Sequence, residues 1–272
     1  MPADDFLIHR FEPSSPAFDV AVTAVIQDSR GFMWFGTNSG LFRYDGYELL
    51  PVSYPAIRPG YKRVRSICED SSGDVWAGTN GGLVRWFRSS GLSEVFRPDD
   101  PGFSIISKVL PLPSGRIVFT ARNNGAWILD PATGDCSRVD LPGTAADETL
   151  AVCLGDAGMV YFMSADRGLF RLDSSRPSAE AEHIGIAGGN PLEGIVLYNI
   201  EYYDYRILAG IAGRTYIIDL RDGSVAERDW SLVNAVGARR GGGFYAATNS
   251  GLLEVDGSFG LVRRWSEDHT DP

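Results

Sequence analysis

The stretch QDSRGFMWFGTNSGLFRYDG, residues 27–46, is answered 42 residues later by EDSSGDVWAGTNGGLVRW, residues 69–86. Self-similarity at a fixed period of this size marks an array whose units are too small to bury a core alone. Anchored on the glycine that closes GTNSG, the phrase returns at Gly40, Gly82, Gly125, Gly168, Gly213 and Gly251. The intervals are 42, 43, 43, 45 and 38 residues. The first, second and last copies are well preserved, and the middle three are worn.

Each copy parses into four short strands. An apolar first strand (VTAVIQD, VRSICED) runs into a turn such as Asp28-Ser29-Arg30-Gly31 or Asp70-Ser71-Ser72-Gly73. Asp accepts backbone N–H groups at the start of such a turn, and Gly takes the positive φ at its end. The second strand carries a bulky residue, read as Trp34, Trp76, Val118, Tyr161, Ile207 and Tyr245 in turn. A polar loop leads to a third strand (LFRYD, LVRWF), and a fourth follows (SEVF, LVRRW). Strands two and three are apolar at nearly every position, as expected of a sheet covered on both faces. An open stack would cap its ends with polar repeats, whereas the first repeat here is among the most apolar, so radial repetition is the better solution. The expected fold class is therefore all-β, a β-propeller of four-stranded antiparallel blades with six repeats visible. The repeats fall at 22–62, 63–105, 106–148, 149–193, 194–230 and 231–268 of a single domain, 1–272. Residues 6–13 read as a spare outer strand, because LIHRFEPSSP and the closing LVRRWSEDHTDP both resemble a fourth strand with its exit loop. That duplication predicts either six blades of a seven-bladed ring or a six-bladed ring that closes imperfectly.

Composition narrows the function classes. The net charge of −10 repels phosphate backbones, so nucleic acid is not an expected partner. No apolar run reaches the roughly 18 residues of a membrane helix, and MPADDFLIHRFEP does not read as a signal peptide. Three cysteines (Cys68, Cys136, Cys153) without a C-x-x-C, and three distant histidines (His9, His183, His269), offer no metal set. No cofactor, metal or catalytic residue is expected. Cys68 and Cys153 sit at equivalent places two blades apart, too distant to bridge.

The residues Ile26–Gly46 strongly resemble the two-component regulator propeller repeat, which builds sensor regions of bacterial hybrid two-component receptors. The resemblance implies a propeller without catalysis of its own, sensing glycans or other nutrients outside the cytoplasm. It also implies further receptor domains or a protein partner, and a periplasmic or extracytoplasmic location if the chain is cut from a membrane receptor. A cytoplasmic location is the alternative. Streptogramin lyases are also propellers with a similar D-x-x-G-x-x-W turn, and their chemistry uses histidine, a carboxylate and a metal. A small lyase or hydrolase is thus the rival reading, and a protein-binding scaffold the third.

Function is sought where the copies differ. Recurrent Trp34, Trp76, Tyr161 and Tyr245 fill space between blades, and Arg43, Arg85 and Arg171 form a ladder expected to pair with acids. Long loops on a rigid scaffold are where binding commonly resides. The loops after strand two place Asn38, Asn80, Arg122, Asn123, Asp166, Arg167 and Asn249 on one face, with Arg63 and Trp230 beside the starts of first strands. Amide and guanidinium donors, one carboxylate and an aromatic platform suit a polar small molecule or oligosaccharide. LYNIEYYDYR in blade five adds Tyr198, Tyr202, Tyr203 and Tyr205, of which one or two are candidates to stack on a sugar.

Overall fold

The computed structural model describes residues 21–96, 105–145, 150–176, 180–193, 199–211, 213–239 and 242–265. Segment 6–13, Tyr198, His9 and His269 lie outside them. The described residues form six separate four-stranded antiparallel sheets, and no α-helix occurs among them. The blades span 22–51, 64–96, 106–138, 151–184, 199–228 and 233–265, each with strands in simple sequence order.

The repeated phrase has a local cause. In blade one, Asp28 Oδ1 accepts the N–H groups of Arg30 (3.0 Å) and Phe32 (2.9 Å), while Oδ2 accepts the Trp34 indole N–H at 2.9 Å. In blade two, Asp70 does the same for Ser72, Asp74 and, at 2.7 Å, Trp76. One carboxylate thus closes the turn and fixes the rotamer of the aromatic that leaves it. Both indoles are fully buried, so this hydrogen bond is what allows a Trp N–H into the core.

Five apolar clusters fill the joints between successive blades. Trp34 and Leu41 of blade one meet Val64 and Ile67 of blade two. Trp76 and Leu83 meet Ile106 and Val109 of blade three, and equivalent clusters join blades three to four, four to five and five to six. Close approach at these joints requires glycine in strand two. A Cβ on Gly36 would lie 2.5 Å from Val64, and one on Gly78 would lie 2.8 Å from Ile106.

Blade five corrects the sequence register. Arg214 pairs with Ile211 as Gly82 pairs with Thr79, so the anchor position there is Arg214, not Gly213. The bulky position accordingly moves from Ile207 to Leu208, whose side chain lies in the joint with blade six. The arginine ladder divides. Arg85 pairs with Asp74 at 2.9 Å and Arg171 with Glu182 at 2.9 Å, but Arg43 stacks over Phe32 and Trp86 instead. Cys68 and Cys153 are buried free thiols, and burial pushes both thiols well above their usual range.

Candidate functional site

The first strand of each blade is innermost, and four of the six share a defect. Ladder pairing skips one residue between Val22 and Ala24, Val64 and Ser66, Ile106 and Lys108, and Val233 and Ala235. The extra residues are Thr23, Arg65, Ser107 and Asn234. A bulge re-aims the side chain of its extra residue, and bulges are frequent beside binding sites. All four side chains line one cavity of about 460 Å³, together with Leu150, at the matching position of blade four. Lys108, Ala151 and Asn199 line it one residue further along their strands. The cavity therefore lies where the inner strands of all six blades converge.

Behind this lining, Lys108 of blade three pairs with Glu201 of blade five at 3.2 Å. Asn199 Nδ2 donates to Glu201 Oε1 (2.9 Å) and to the Asn234 carbonyl (2.8 Å), tying blade six into the same network. Thr120 also lines the cavity, and its buried hydroxyl has no hydrogen-bond partner among the described residues.

The loops after strand two stand on the same face. The backbone N–H groups of Asn38, Asn80, Arg122 and Asn249 donate to Ala21, Arg63, Ile105 and Leu232, each just before an inner strand. Two of these side chains hold the lining in place. Asn80 Oδ1 accepts from Arg65 Nε, and Asn249 Oδ1 from Asn234 Nδ2, both at 2.8 Å. Asn38, Arg63 and Arg122 are exposed around them. Asn123 turns its loop with φ 56°, and Asp166 is exposed in the matching loop of blade four.

Two expected site residues fall elsewhere. Arg167 Nε donates to the Gly143 carbonyl at 2.9 Å, and its own carbonyl lies 2.7 Å from His183 Nε2, so it braces the approach to blade four. Trp230 is only 3% exposed and packs edge-on against Phe244 within the joint of blades five and six. It is a core residue and offers no platform. Two tyrosines of blade five, Tyr202 and Tyr203, also serve structure, while Tyr205 is 51% exposed. Tyr202 stacks on Tyr161 and donates to Asp156, while Tyr203 donates to the Gly243 carbonyl, both toward the opposite end of the inner strand. Burial, then the bond to Asp156, pushes the Tyr202 hydroxyl well above its usual range. Sequence reasoning missed Thr23, Arg65, Ser107, Lys108, Asn199 and Asn234. The available signal was a change of residue type at the second and third positions of otherwise similar strands.

A larger cleft of about 600 Å³ lies along the outer edge of blade four. Its charges are already paired, Arg171 with Glu182 and Arg176 with Asp173 at 3.0 Å, which leaves little for a ligand to satisfy. The axial cavity is the stronger site. No group of three or more His, Cys, Asp or Glu within metal-binding reach occurs among the described residues.

Segments 18–39 and 59–81 match the two-component regulator propeller family. No curated protein matches the chain. Among solved structures, it is similar to the extracellular domain of a one-component system from B. thetaiotaomicron, with a TM-score of 0.69 and 18% identity over 91% of this chain and 33% of that one. A hybrid two-component system of the same organism gives 0.67 and 17%, over 90% and 35% of the two chains. A catalytically inactive virginiamycin B lyase from Staphylococcus aureus with quinupristin gives 0.75 and 16%, over 94% and 87%. The chain thus spans about a third of the receptor domains but most of the lyase, and at these identities the likeness is one of fold. With the matched segments and the six sheets taken together, the chain is a six-bladed β-propeller carrying two-component regulator propeller repeats.

Proposed function

We propose that this propeller is a non-catalytic input module of a two-component-type receptor, which senses a polar, hydroxyl-bearing ligand such as a glycan in the axial cavity. One observation carries the reading: the cavity is lined at matched positions of successive blades by residues that differ from blade to blade, Thr23, Arg65, Ser107, Leu150 and Asn234. A position that varies within a repeat is free of the duty of holding the ring together. The lining mixes hydroxyl, amide and cationic donors and, among the described residues, contains neither histidine nor a carboxylate, which favours binding over acid–base chemistry. The receptor relatives are extracellular domains, which supports an extracytoplasmic location and further domains in the working receptor. No helix among the described residues is long and apolar enough to cross a membrane.

Similarity to the lyase over most of its length supports a second reading, a streptogramin-type lyase. Both are tested together. A glycan panel is screened by thermal shift against the wild type and Ser107→Trp, which fills the cavity, and quinupristin turnover is assayed in parallel. The sensing reading expects a saturable ligand whose binding Ser107→Trp removes while the melting temperature without ligand stays the same. Ligands that bind Ser107→Trp normally, or an empty screen, would overturn it. Turnover of quinupristin would establish the lyase.

A further inference from the structure

Within a chain of net charge −10, the rim of the axial cavity gathers cations that have no counter-ion among the described residues. Arg65 lines the cavity and spends one donor, Nε, on Asn80. Arg63 stands two residues before it on the exposed approach to the same strand. Arg122 occupies the equivalent of Asn80 in the next blade, its backbone bonded to Ile105 beside the start of that blade's inner strand. Among the described residues, none of the three has a carboxylate within ion-pair distance, whereas Arg85, Lys108, Arg171, Arg206, Arg214 and Arg239 are each paired. Burial, then repulsion from Arg63 and Arg122, lowers the Arg65 pKa.

Like charges gathered around a partly desolvated group are costly unless an opposite charge joins them. Acids are plentiful in this chain, and Asp and Glu elsewhere supply that charge. With no carboxylate on them among the described residues, the remaining guanidinium N–H groups suit a planar or tetrahedral oxyanion, which Arg recognises with paired donors.

We infer that the ligand of this cavity carries a compact anionic group, a carboxylate or a sulfate, held by Arg65 with Arg63 and Arg122 at the rim. This deepens the sensing reading and rests on it. A neutral ligand would leave the repulsion among the three cations as it is, whereas an anion would lower it on binding. The attraction of the rim would also weaken with added salt.

Three probes at matched ionic strength test it: sulfate, glucuronate and glucose, titrated by calorimetry and by side-chain Arg Nε–H resonances. The variants are Arg65→Gln and the double change Arg63→Gln/Arg122→Gln. Because Arg63 and Arg122 make no side-chain hydrogen bond or ion pair among the described residues, the double variant should fold and melt as the wild type does. The expected result is saturable, mutually competitive binding of glucuronate and sulfate, with glucose at least about tenfold weaker, the discrimination typical of one charge-assisted contact. The double variant should lose that preference. Equal binding of glucose and glucuronate, or unchanged glucuronate binding by the double variant, would overturn the anion inference while leaving the cavity as a neutral-ligand site. Absence of saturable binding by either anion would also overturn it. Failure of the sensing reading itself shows separately, as ligands indifferent to Ser107→Trp.

Discussion

The joint between blades one and two and the joint between blades six and one use the same positions and differ in outcome. In the first, Val64 and Ile67 are 0% and 7% exposed, packed on Gly36 and Trp34 of the preceding blade. In the second, their equivalents Val22 and Val25 are 45% and 53% exposed. Ala247, in the register of Gly36, is exposed as well, and Tyr245, in the register of Trp34, is half-buried. Among the described residues no apolar cluster joins blade six to blade one, while each of the other five joints has one. Similar strands thus bury or expose their apolar face according to what lies beside them. A blade's sequence specifies a surface, and only its neighbour makes that surface a core.

The comparison can be broken most forcefully at a sealed joint. Trp76→Ala should cost about 3–5 kcal/mol, because it empties a buried volume and strands the Asp70 carboxylate that the indole satisfied. Chemical denaturation would measure it, and a loss below 1 kcal/mol would mean the joint is loosely packed. Next comes a matched pair. Ile67→Ala should cost roughly 2–5 kcal/mol, and Val25→Ala, its equivalent at the exposed joint, less than about 0.5 kcal/mol. Equal costs would show that the last joint is sealed in solution.

Alkaline pH probes the sealed joint from another side. Tyr54 is buried between blades one and two, where its hydroxyl donates to the Lys62 carbonyl and accepts from the Leu41 N–H. Burial pushes its pKa up to about 12 from an ordinary value of 10.0. A raised pKa contributes stability that is complete below pH 10 and is lost as pH rises toward 12, because the unfolded chain releases the proton first. The loss should be on the order of 2 kcal/mol, and Tyr54→Phe should lack it. Identical alkaline decline in both proteins would remove Tyr54 as the cause. The smallest contrast is Gly78→Ala against Ala247→Val. A methyl at Gly78 meets Ile106 and should cost about 1–3 kcal/mol by overpacking, whereas added bulk at exposed Ala247 should change little. Thermal melts of the two variants decide it.

Much of the ring was legible because its rules are local. The turn carboxylate of Asp28 lies six residues from the indole it accepts, so the pair can be read from any copy that keeps both. The worn copies were harder. Blade five lacks the Asp and the Trp, and without that anchor its register slipped by one, from Leu208 to Ile207 and from Arg214 to Gly213. Trp230 was misread for a related reason. It follows Arg-Asp outside any strand, where an aromatic looks like a loop residue, and only the position of Phe244 turns it inward.

By itself, then, the sequence determined the blade: its four strands, its closing turn, the aromatic wedge and the face that carries the asparagine loops. These follow from backbone preferences and apolar patterning within some 40 residues. Only the tertiary structure decided which side chains meet on the axis. Thr23, Arg65, Ser107 and Asn234 follow no common residue type and stand about forty or more residues apart in the chain. A one-residue bulge in each of their four inner strands, together with the convergence of six blades on a common axis, brings them into one cavity. The sealing of each joint was decided in the same way, because burial belongs to a pair of surfaces and a single repeat supplies only one.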